Sequence, residues 1–471
     1  MPTALVPTVH ERIARCNTSV FLDRLVPGAA VVVSIDGTEF SGTAAGSQMQ
    51  FPVPTLNGAE LIRARQDSGA GMTPWSPEIE VEDTFVPPVV SPHLPEEVGT
   101  CSQCVHVFGM VPGCEVELFL VTTGEIVGHG TADRGGAACV GVNLEKLRGE
   151  GFNFLGARMF VCGQPSPESA SPISTSASLP QPVIGGPLFG CQRMIPTSDL
   201  QPGARIRFEM DADDLGSFCS CWEAVNVWIG TDLVAGRNVR AIPYFERDGC
   251  KGEGLPSAWK PVLPPDDRIR PIIRPALIEG DQTIRIDNQF ANASLLIRIR
   301  SDVASPFEEF GPVATSQEPE VNLNAALVAG NIVTVVQTLC SVSVESDPVT
   351  VLPPPPVVLP PVIVPPLYEC GTGVQVSNLH QGAFVRVFAD DIPIGTAWAG
   401  NASSIAVPAN LLAGWKITAR QRVGGIWSQV SDPGVNVDFA RIATPRIMRP
   451  VAEGDRSVWV SHVTPGAHVG I

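Results

Sequence analysis

The sequence predicts an all-β fold of tandem antiparallel β-sandwich modules, about five complete and a sixth truncated, joined by proline-rich linkers. Three observations lead to this fold class. A turn-and-strand element recurs along the chain, apolar and polar residues alternate after each turn, and prolines collect between the repeats. Glycine and proline number 45 each in 471 residues, which indicates many turns, and the length suits several domains.

The repeat is defined by a short turn that precedes a strand. Its anchor residues are Gly28, Gly113, Gly203, Asn292, Gly382 and Gly466, at successive spacings of 85, 90, 89, 90 and 84 residues. This spacing predicts modules at 1–84, 91–179, 183–265, 272–352 and 363–440, with a partial module at 445–471. Proline-rich segments such as 351–366 are expected to be stiff extended linkers.

The residues after each anchor alternate between apolar and polar. The positions predicted to face the core are Val31, Val33 and Ile35; Val116, Leu118 and Leu120; Ile206, Phe208 and Met210; Leu295, Ile297 and Ile299; Val385, Val387 and Ala389. A period of two is typical of a half-buried antiparallel strand. Several short strands separated by turns in each repeat indicate a β-sandwich, and no helical pattern is present.

The charge balance limits the partners of this chain. It holds 31 basic and 48 acidic residues, for a net charge of −17, which repels phosphate backbones and anionic lipids. We therefore expect no nucleic-acid partner. No tract reaches the roughly 18 uncharged apolar residues of a membrane helix, so no membrane insertion is expected. The N-terminal residues do not show a secretory signal pattern.

Most of the twelve cysteines fall into two columns. The first column lies 12 residues before the anchor and holds Cys16, Cys101, Cys191 and Cys370. The second column lies near the end of the module and holds Cys162, Cys250 and Cys340. Only modules two and three contain both columns, which predicts disulfides Cys101–Cys162 and Cys191–Cys250, each stabilising by about 4 kcal/mol. A local bridge between Cys114 and Cys139 on adjacent strands is also expected.

Zinc is the competing interpretation of these cysteines. Cys101 and Cys104 with His106 form one potential ligand set, and Cys191, Cys219, Cys221 and Cys250 form another. Zinc ribbons combine two CxxC motifs, whereas this chain has one, so disulfides are favoured and no metal is predicted. Disulfides place the protein in an oxidising compartment.

No catalytic motif is evident, and we predict no enzymatic activity and no cofactor. The pair His10-Glu11 begins a zinc-protease motif, but Ala14 occupies the place of its second histidine. The acidic run at 211–214 lacks the spacing of an EF-hand loop. A solvated loop is the simpler interpretation of that run.

Three tryptophans are the candidate binding residues. Trp75 and Trp427 occupy corresponding places just before the closing strand of their modules, and Trp259 lies close to that place. A tryptophan in such a place packs against the end of the sandwich or, if exposed, offers a flat surface to a sugar ring or a partner side chain. Both interpretations remain open from the sequence.

Modules one and five resemble the Ig-like modules repeated in bacterial surface adhesins and biofilm-associated proteins. The similarity lies in PGAAVVVSIDGTEFSGTAAG with LNGAELIRARQ, and in QGAFVRVFADDIPIGTAWAG with LLAGWKITARQ. The resemblance implies tandem Ig-like β-sandwiches and a structural rather than catalytic role. Gln66, Gln337 and Gln421 stand where that family usually carries aspartate, which weakens the implied calcium sites at the joints.

The leading hypothesis is a non-enzymatic structural or adhesive stalk segment that presents or binds a partner at a cell surface or in an extracellular assembly. The expected partner is a protein or glycan surface, and the chain is expected to belong to a larger chain or assembly. Two alternatives remain. One is a glycan-binding accessory array of a larger secreted protein, and the other is a structural subunit of a virion, fibre or injection apparatus.

Overall fold

The structure is a computed structural model of the chain. It describes residues 4–10, 13–69, 71–83, 91–95, 97–133, 135–142, 154–174, 179–246, 252–315, 319–369, 371, 373–409, 411–439, 446–447 and 460–461. These residues form strands and turns, with one 3-10 turn at Asp267–Ile269 and no α-helix among them. No helix of the described residues is long and apolar enough to cross a membrane.

The architecture is a series of β-sandwiches, as the sequence predicts. Each module consists of a small and a larger sheet with apolar side chains between them. In the first module the small sheet contains Thr8–Val9, Ser19–Asp23 and Gln48–Pro52, and the larger contains Thr38–Thr43, Ala30–Ile35, Leu61–Asp67 and Ile79–Glu80. In the second, Cys104–Val107 pairs with Ala138–Gly141, and the larger sheet contains Ile126–Thr131, Glu115–Leu120, Phe154–Val161, Gln164–Pro165, Ser169–Ser174 and Val98–Gly99.

The third and fourth modules repeat this arrangement. In the third, the small sheet contains Val183–Ile184, Met194–Ser198 and Val225–Trp228, and the larger contains Leu188–Phe189, Lys260–Leu263, Asn238–Phe245, Gly252–Glu253, Arg205–Met210 and Asp213–Cys219. In the fourth, the small sheet contains Ile272–Ile273, Thr283–Asp287 and Glu320–Asn322, and the larger contains Glu308–Ala314, Ser294–Arg300, Ile332–Leu339 and Val342–Glu345. A short strand, Val349–Thr350, follows.

The fifth module has the same two sheets. The small one contains Val362–Ile363, Gly373–Ser377 and Ser404–Pro408, and the larger contains Leu367–Tyr368, Val435–Asp438, Lys416–Val423, Ile426–Trp427, Phe384–Ala389 and Ile392–Trp398. Arg446–Ile447 then pairs with Val460–Ser461. The chain divides into two compact units, the first made of 1–273, 283–324 and 332–348, and the second of 274–282, 325–331 and 349–471.

The predicted alternation after the first five anchors is confirmed, whereas the sixth anchor, Gly466, and most of the predicted partial module 445–471 lie outside the described residues. In each module the strand after the anchor directs the predicted residues into the core, where all but Ile35 and Ile299 are buried. These two lie near strand ends and are half-buried. Each anchored strand pairs with the long strand near the end of its module, as Arg205–Met210 does with Asn238–Phe245.

In each of three modules, a buried glutamine side chain hydrogen-bonds both the segment at the start of the module and the turn before the anchored strand. Gln421 is fully buried, and its Nε2 donates to the carbonyls of Leu359 and Asn378, at 2.8 and 3.0 Å, while its Oε1 accepts from His380 N. Gln66 and Gln337 make the equivalent bonds in modules one and four. An amide both donates and accepts, which a carboxylate does not, so this network explains glutamine at these places.

Candidate functional site

Disulfides join consecutive modules rather than the two ends of one module. Cys16 of the first module bonds Cys162 of the second, and Cys191 of the third bonds Cys340 of the fourth, with Cα–Cα distances of 5.2 and 5.6 Å. The predicted pairings Cys101–Cys162 and Cys191–Cys250 are therefore wrong. Cys250 itself lies outside the described residues, and Cys101 is disulfide-bonded.

The reason for this offset lies at the anchor turn. In each module the anchored strand pairs with the strand that leads to the second-column position. In module two, Glu115 pairs with Phe160. Continuing this antiparallel register by two residues brings Cys162 beside the anchor Gly113. The first-column turn of the preceding module packs against that same anchor. A Cβ atom on Gly113 would lie 2.6 Å from the side-chain nitrogen Nδ2 of Asn17.

The same contact recurs at the next two joints. A Cβ atom on Gly203 would lie 2.9 Å from Ser102 Cα, and Gly203 O accepts from Gln103 N at 2.8 Å. At the third joint the anchor is Asn292, whose Nδ2 donates to Cys191 O at 2.9 Å. All three anchors have positive φ, at 76°, 88° and 74°, a region that favours glycine and asparagine.

Apolar clusters add to the second and third joints. Cys101, Ala204 and Phe245 form one cluster, with Leu179 packed against it. The other cluster consists of Phe189, Ile269, Ala293, Leu339 and Val344. Because these side chains come from two modules each, separating the modules exposes apolar surface as well as straining the bridges.

The second joint carries two further disulfides, Cys104–Cys219 and Cys139–Cys221. The expected Cys114–Cys139 bridge is wrong, because Cys139 bonds Cys221 while Cys114 is a free thiol buried in the core of module two. The His106 ring contacts the Trp222 ring at this joint in a tilted arrangement, with centroids 5.0 Å apart, and burial lowers the pKa of its imidazole. The alternative zinc set of Cys191, Cys219, Cys221 and Cys250 is not formed, because Cys191 is bonded to Cys340 and Cys219 to Cys104.

A further contact joins the first and fourth modules. Arg24 is fully buried, and its guanidinium donates to Ala314 O at 2.8 Å and to Gln289 Oε1 at 3.2 Å. Beside it, Asn324 Nδ2 donates to Ala4 O at 2.8 Å, and Asn324 Oδ1 accepts from the backbone of Val6 at 3.0 Å. This contact was not predicted from the sequence.

The three candidate tryptophans each lie against arginine on a sheet surface. The guanidinium carbon of Arg65 is 4.1 Å from the Trp75 ring centroid, Arg240 is 4.5 Å from Trp259, and Arg420 is 4.3 Å from Trp427. Similar arginine contacts occur on Phe119 and Phe307. A planar guanidinium can stack on a ring while it bonds a carboxylate, as Arg240 does with Glu209 at 2.7 Å.

The acidic run of module three is paired with arginine. Arg237 contacts Asp211 at 2.7 Å and Asp213 at 2.6 Å, and its hydrogen bond holds the pKa of the Asp211 carboxyl below its ordinary value. Both groups lie at the surface. Arg237 thus supplies one positive charge to two of the three carboxylates, and the third, Asp214, accepts from the backbone N–H of Gly216 at 2.8 Å.

No family model matches the chain, and no curated protein matches it. Among solved structures it is similar to Sidekick-1 immunoglobulin domains 1–5, with 9% identity over 93% of this chain and 100% of that chain and a TM-score of 0.22. It is also similar to a Ca²⁺-stabilised adhesin of an Antarctic bacterium, with 11% identity over 93% of this chain and 100% of that chain and a TM-score of 0.15. It is similar to an S-layer protein as well, with 13% identity over 94% of this chain and 56% of that chain and a TM-score of 0.22.

Proposed function

We propose that the chain is a non-enzymatic structural or adhesive segment in which disulfides fix the first four tandem modules to their neighbours. The observation that carries this proposal is the pair of inter-module bridges, Cys16–Cys162 and Cys191–Cys340. A bridge across a joint restricts the movement of two modules relative to each other, which suits a part that must hold its shape. Disulfides persist in oxidising surroundings, which supports a location outside the cell or on its surface.

Small-angle X-ray scattering of the full chain tests this proposal. The oxidised chain is expected to give one narrow distribution of interatomic distances. A variant with Cys16, Cys162, Cys191 and Cys340 all replaced by serine is expected to give a broader distribution with the same sheet content by circular dichroism. Equal distributions for the two proteins would contradict the fixed joints.

Glycan binding is the second candidate function, and the 44% exposure of Trp259 favours it. One face of an exposed indole can stack on a sugar ring, and the nearby Arg240 can bond sugar hydroxyls. The test is retention on a panel of immobilised polysaccharides by the wild type and by the Trp75→Ala, Trp259→Ala and Trp427→Ala variants. Binding that falls at least tenfold in one variant supports a glycan partner, whereas unchanged retention in all three argues for a protein partner or a purely structural role.

A further inference from the structure

Four cysteine sulfurs from two modules lie together at the second joint. Cys104 and Cys139 come from the paired strands Cys104–Val107 and Ala138–Gly141 of module two. Cys219 ends a strand of module three, and Cys221 follows two residues later. The sulfurs of Cys104, Cys139 and Cys221 all lie within 4.8 Å of one another, and Cys219 is bonded to Cys104.

This arrangement differs from every other bridge in the described part of the chain. Cys16–Cys162 and Cys191–Cys340 each bring two sulfurs together, and no third ligand group accompanies them among the described residues. At the second joint, two disulfides lie side by side. Cleaving both would leave four thiols within reach of one point.

We propose that the reduced form of this cluster binds one zinc ion through Cys104, Cys139, Cys219 and Cys221. Four thiolates are the ligand set of tetrahedral structural zinc sites, which have Zn–S distances of about 2.3 Å. The sulfurs of Cys104, Cys139 and Cys221 already lie within 4.8 Å of one another, and the Cys219 sulfur is bonded to that of Cys104, so side-chain rotation after reduction would bring the four thiolates around one ion. Two ligands come from each module, so the ion would hold the same joint that the two disulfides hold.

The placement of the four cysteines suits both the disulfide-bonded form and the reduced, zinc-bound form. Cys104 and Cys221 are buried, which excludes water from one side of the cluster, whereas Cys139 is exposed and gives a reductant or an ion a way in. His106 is paired with Cys139 across the strands, and its Nε2 is buried with no hydrogen-bond partner among the described residues. The surroundings of the cluster therefore include a nitrogen donor but no carboxylate within the ligand group.

Both disulfides of the cluster must be reduced before zinc can bind. Two molecules of a dithiol reductant supply four electrons and four protons, which cleave both S–S bonds and leave four thiols and two cyclic disulfides of the reductant. Zinc binding then displaces the thiol protons into solution, because thiolates are the ligands. Two molecules of a small-molecule disulfide reverse the change, because they accept four electrons and, with protons from solution, become thiols while both bridges re-form and the ion is released.

Cobalt substitution on the full chain tests this site. The protein is reduced with a dithiol, freed of reductant under argon and titrated with Co²⁺, whose visible absorption reports tetrahedral sulfur ligation. We expect one Co²⁺ per chain with this signature, displaced by one equivalent of Zn²⁺. The oxidised chain is expected to show no such absorption.

Two double variants separate this site from other thiols. Cys104→Ser with Cys139→Ser removes one ligand from each bridge and should abolish the tetrahedral signal. Cys16→Ser with Cys162→Ser is the matched control and should leave it unchanged. An absent signal in the reduced wild type, or an equal signal in both variants, would overturn the proposal.

Circular dichroism provides a second readout that does not depend on cobalt. The reduced chain in zinc-containing buffer is expected to keep its β-sheet signal. In the same buffer, without a chelator, a protease is expected to cleave the second joint only slowly. Adding a chelator should raise the rate of cleavage there at least tenfold. If the reduced chain unfolds even with zinc present, the ion does not replace the bridges and the proposal fails.

Discussion

Gly280 and Gly424 approach each other so closely that a Cβ atom on Gly280 would lie 3.0 Å from the Gly424 carbonyl carbon. Gly280 stands 12 residues before its anchor, Asn292, in the place of the first-column cysteine. Gly424 stands in the place of the second-column cysteine. Both belong to the second compact unit, where a contact between two glycine backbones takes the place of a disulfide.

Replacing Gly424 with alanine should therefore destabilise the chain more than a comparable glycine substitution elsewhere. A Cβ atom at Gly424 meets the Glu279 carbonyl oxygen and lies 3.1 Å from Ile278 Cγ2, whereas Gly414, also at positive φ, has no atom within 4 Å of its added Cβ. Both variants incur the cost of an alanine at positive φ, and overpacking adds about 1–3 kcal/mol for Gly424→Ala. Urea denaturation of the two variants checks this difference, and equal midpoints would contradict the close contact.

The offset between the cysteine columns predicts one more bridge. Because Cys16 bonds Cys162 and Cys191 bonds Cys340, the columns pair Cys101 with Cys250 in the next module. Peptide mapping without reduction should recover Cys16–Cys162, Cys191–Cys340 and Cys101–Cys250 as linked peptides. Recovery of Cys101–Cys162 or Cys191–Cys250 would show that bridges close within modules instead.

Arg24 should be essential for the contact between modules one and four. It occupies a turn position with φ of 60°, where the other modules carry Gly109, Asp199, Asn288 and Asn378, residue types that tolerate this conformation. Arg24→Asn keeps the turn but removes the guanidinium from Ala314 O and from the buried Asp23, which then has only the His10 imidazole, at 3.9 Å, as a basic neighbour among the described residues. We expect a loss of about 3–5 kcal/mol in the free energy of unfolding.

Arg15→Ala is the control for that measurement. Arg15 pairs with Asp83 at 3.2 Å on the surface, and such a pair contributes less than about 1 kcal/mol. Guanidinium denaturation compares the two variants with the wild type. An Arg24→Asn effect as small as that of Arg15→Ala would mean that the contact between modules one and four does not form in solution.

The sequence predicted the sandwich fold because its signals are local. Alternation after Gly28 or Gly203 indicates which side of a strand is buried, and this holds whatever packs nearby. The joints depend on contacts between modules, which such patterns do not encode. One signal was present, since module one has Cys16 without a second-column cysteine and module four has Cys340 without a first-column one. Pairing across modules satisfies both.

The contact of Arg24 with module four had a weaker signal. An arginine at a turn place where four modules carry glycine, asparagine or aspartate is a local conflict, and such conflicts mark positions selected for another reason. Its partners, Gln289 and Ala314, lie more than 260 residues away and follow no repeat offset seen elsewhere in the described chain. The arginine stacks on Trp75, Trp259 and Trp427 likewise depend on neighbouring strands.

The free thiol of Cys114 should be unreactive in the folded protein. Burial raises its pKa to about 12, so the thiol stays protonated at pH 8 and does not attack an alkylating agent. Incubation with iodoacetamide at pH 8 should leave the Cys114 peptide unmodified, and the same treatment in guanidinium should alkylate it fully. Rapid modification under native conditions would show that this part of module two opens.

Asp281 should make the second unit less stable as pH rises. Burial raises the pKa of its carboxyl to about 6, against the opposing effect of Arg422 and the backbone N–H groups of Gly424 and Gly425. The folded state therefore holds this proton more tightly than the unfolded state, whose ordinary value is 3.8. The contribution of this proton to the free energy of unfolding is complete below pH 4. It is lost as the pH rises through 6, and the loss is at most about 3 kcal/mol.

Asp281→Asn isolates this effect from all other titrating groups. Thermal melts of the wild type and the variant at pH 4, 5, 6 and 7 are compared at each pH. The wild type should lose stability relative to the variant between pH 4 and 7. A difference that is constant over this range would show that the Asp281 carboxyl is not buried in solution.

The staggered bridges also determine how far the chain can be stretched when it is pulled from both ends. Even with every sheet unfolded, the shortest covalent route from Cys16 to Cys340 crosses two disulfides and only the 29 peptide steps between residues 162 and 191. At about 3.5 Å per residue this route measures ~100 Å, against ~1,100 Å for the 324 steps between residues 16 and 340 without bridges. Under tension, the segment from Cys16 to Cys340 of the oxidised protein therefore lengthens far less than the same segment of the reduced protein, whereas residues 341–471 lie outside both bridges.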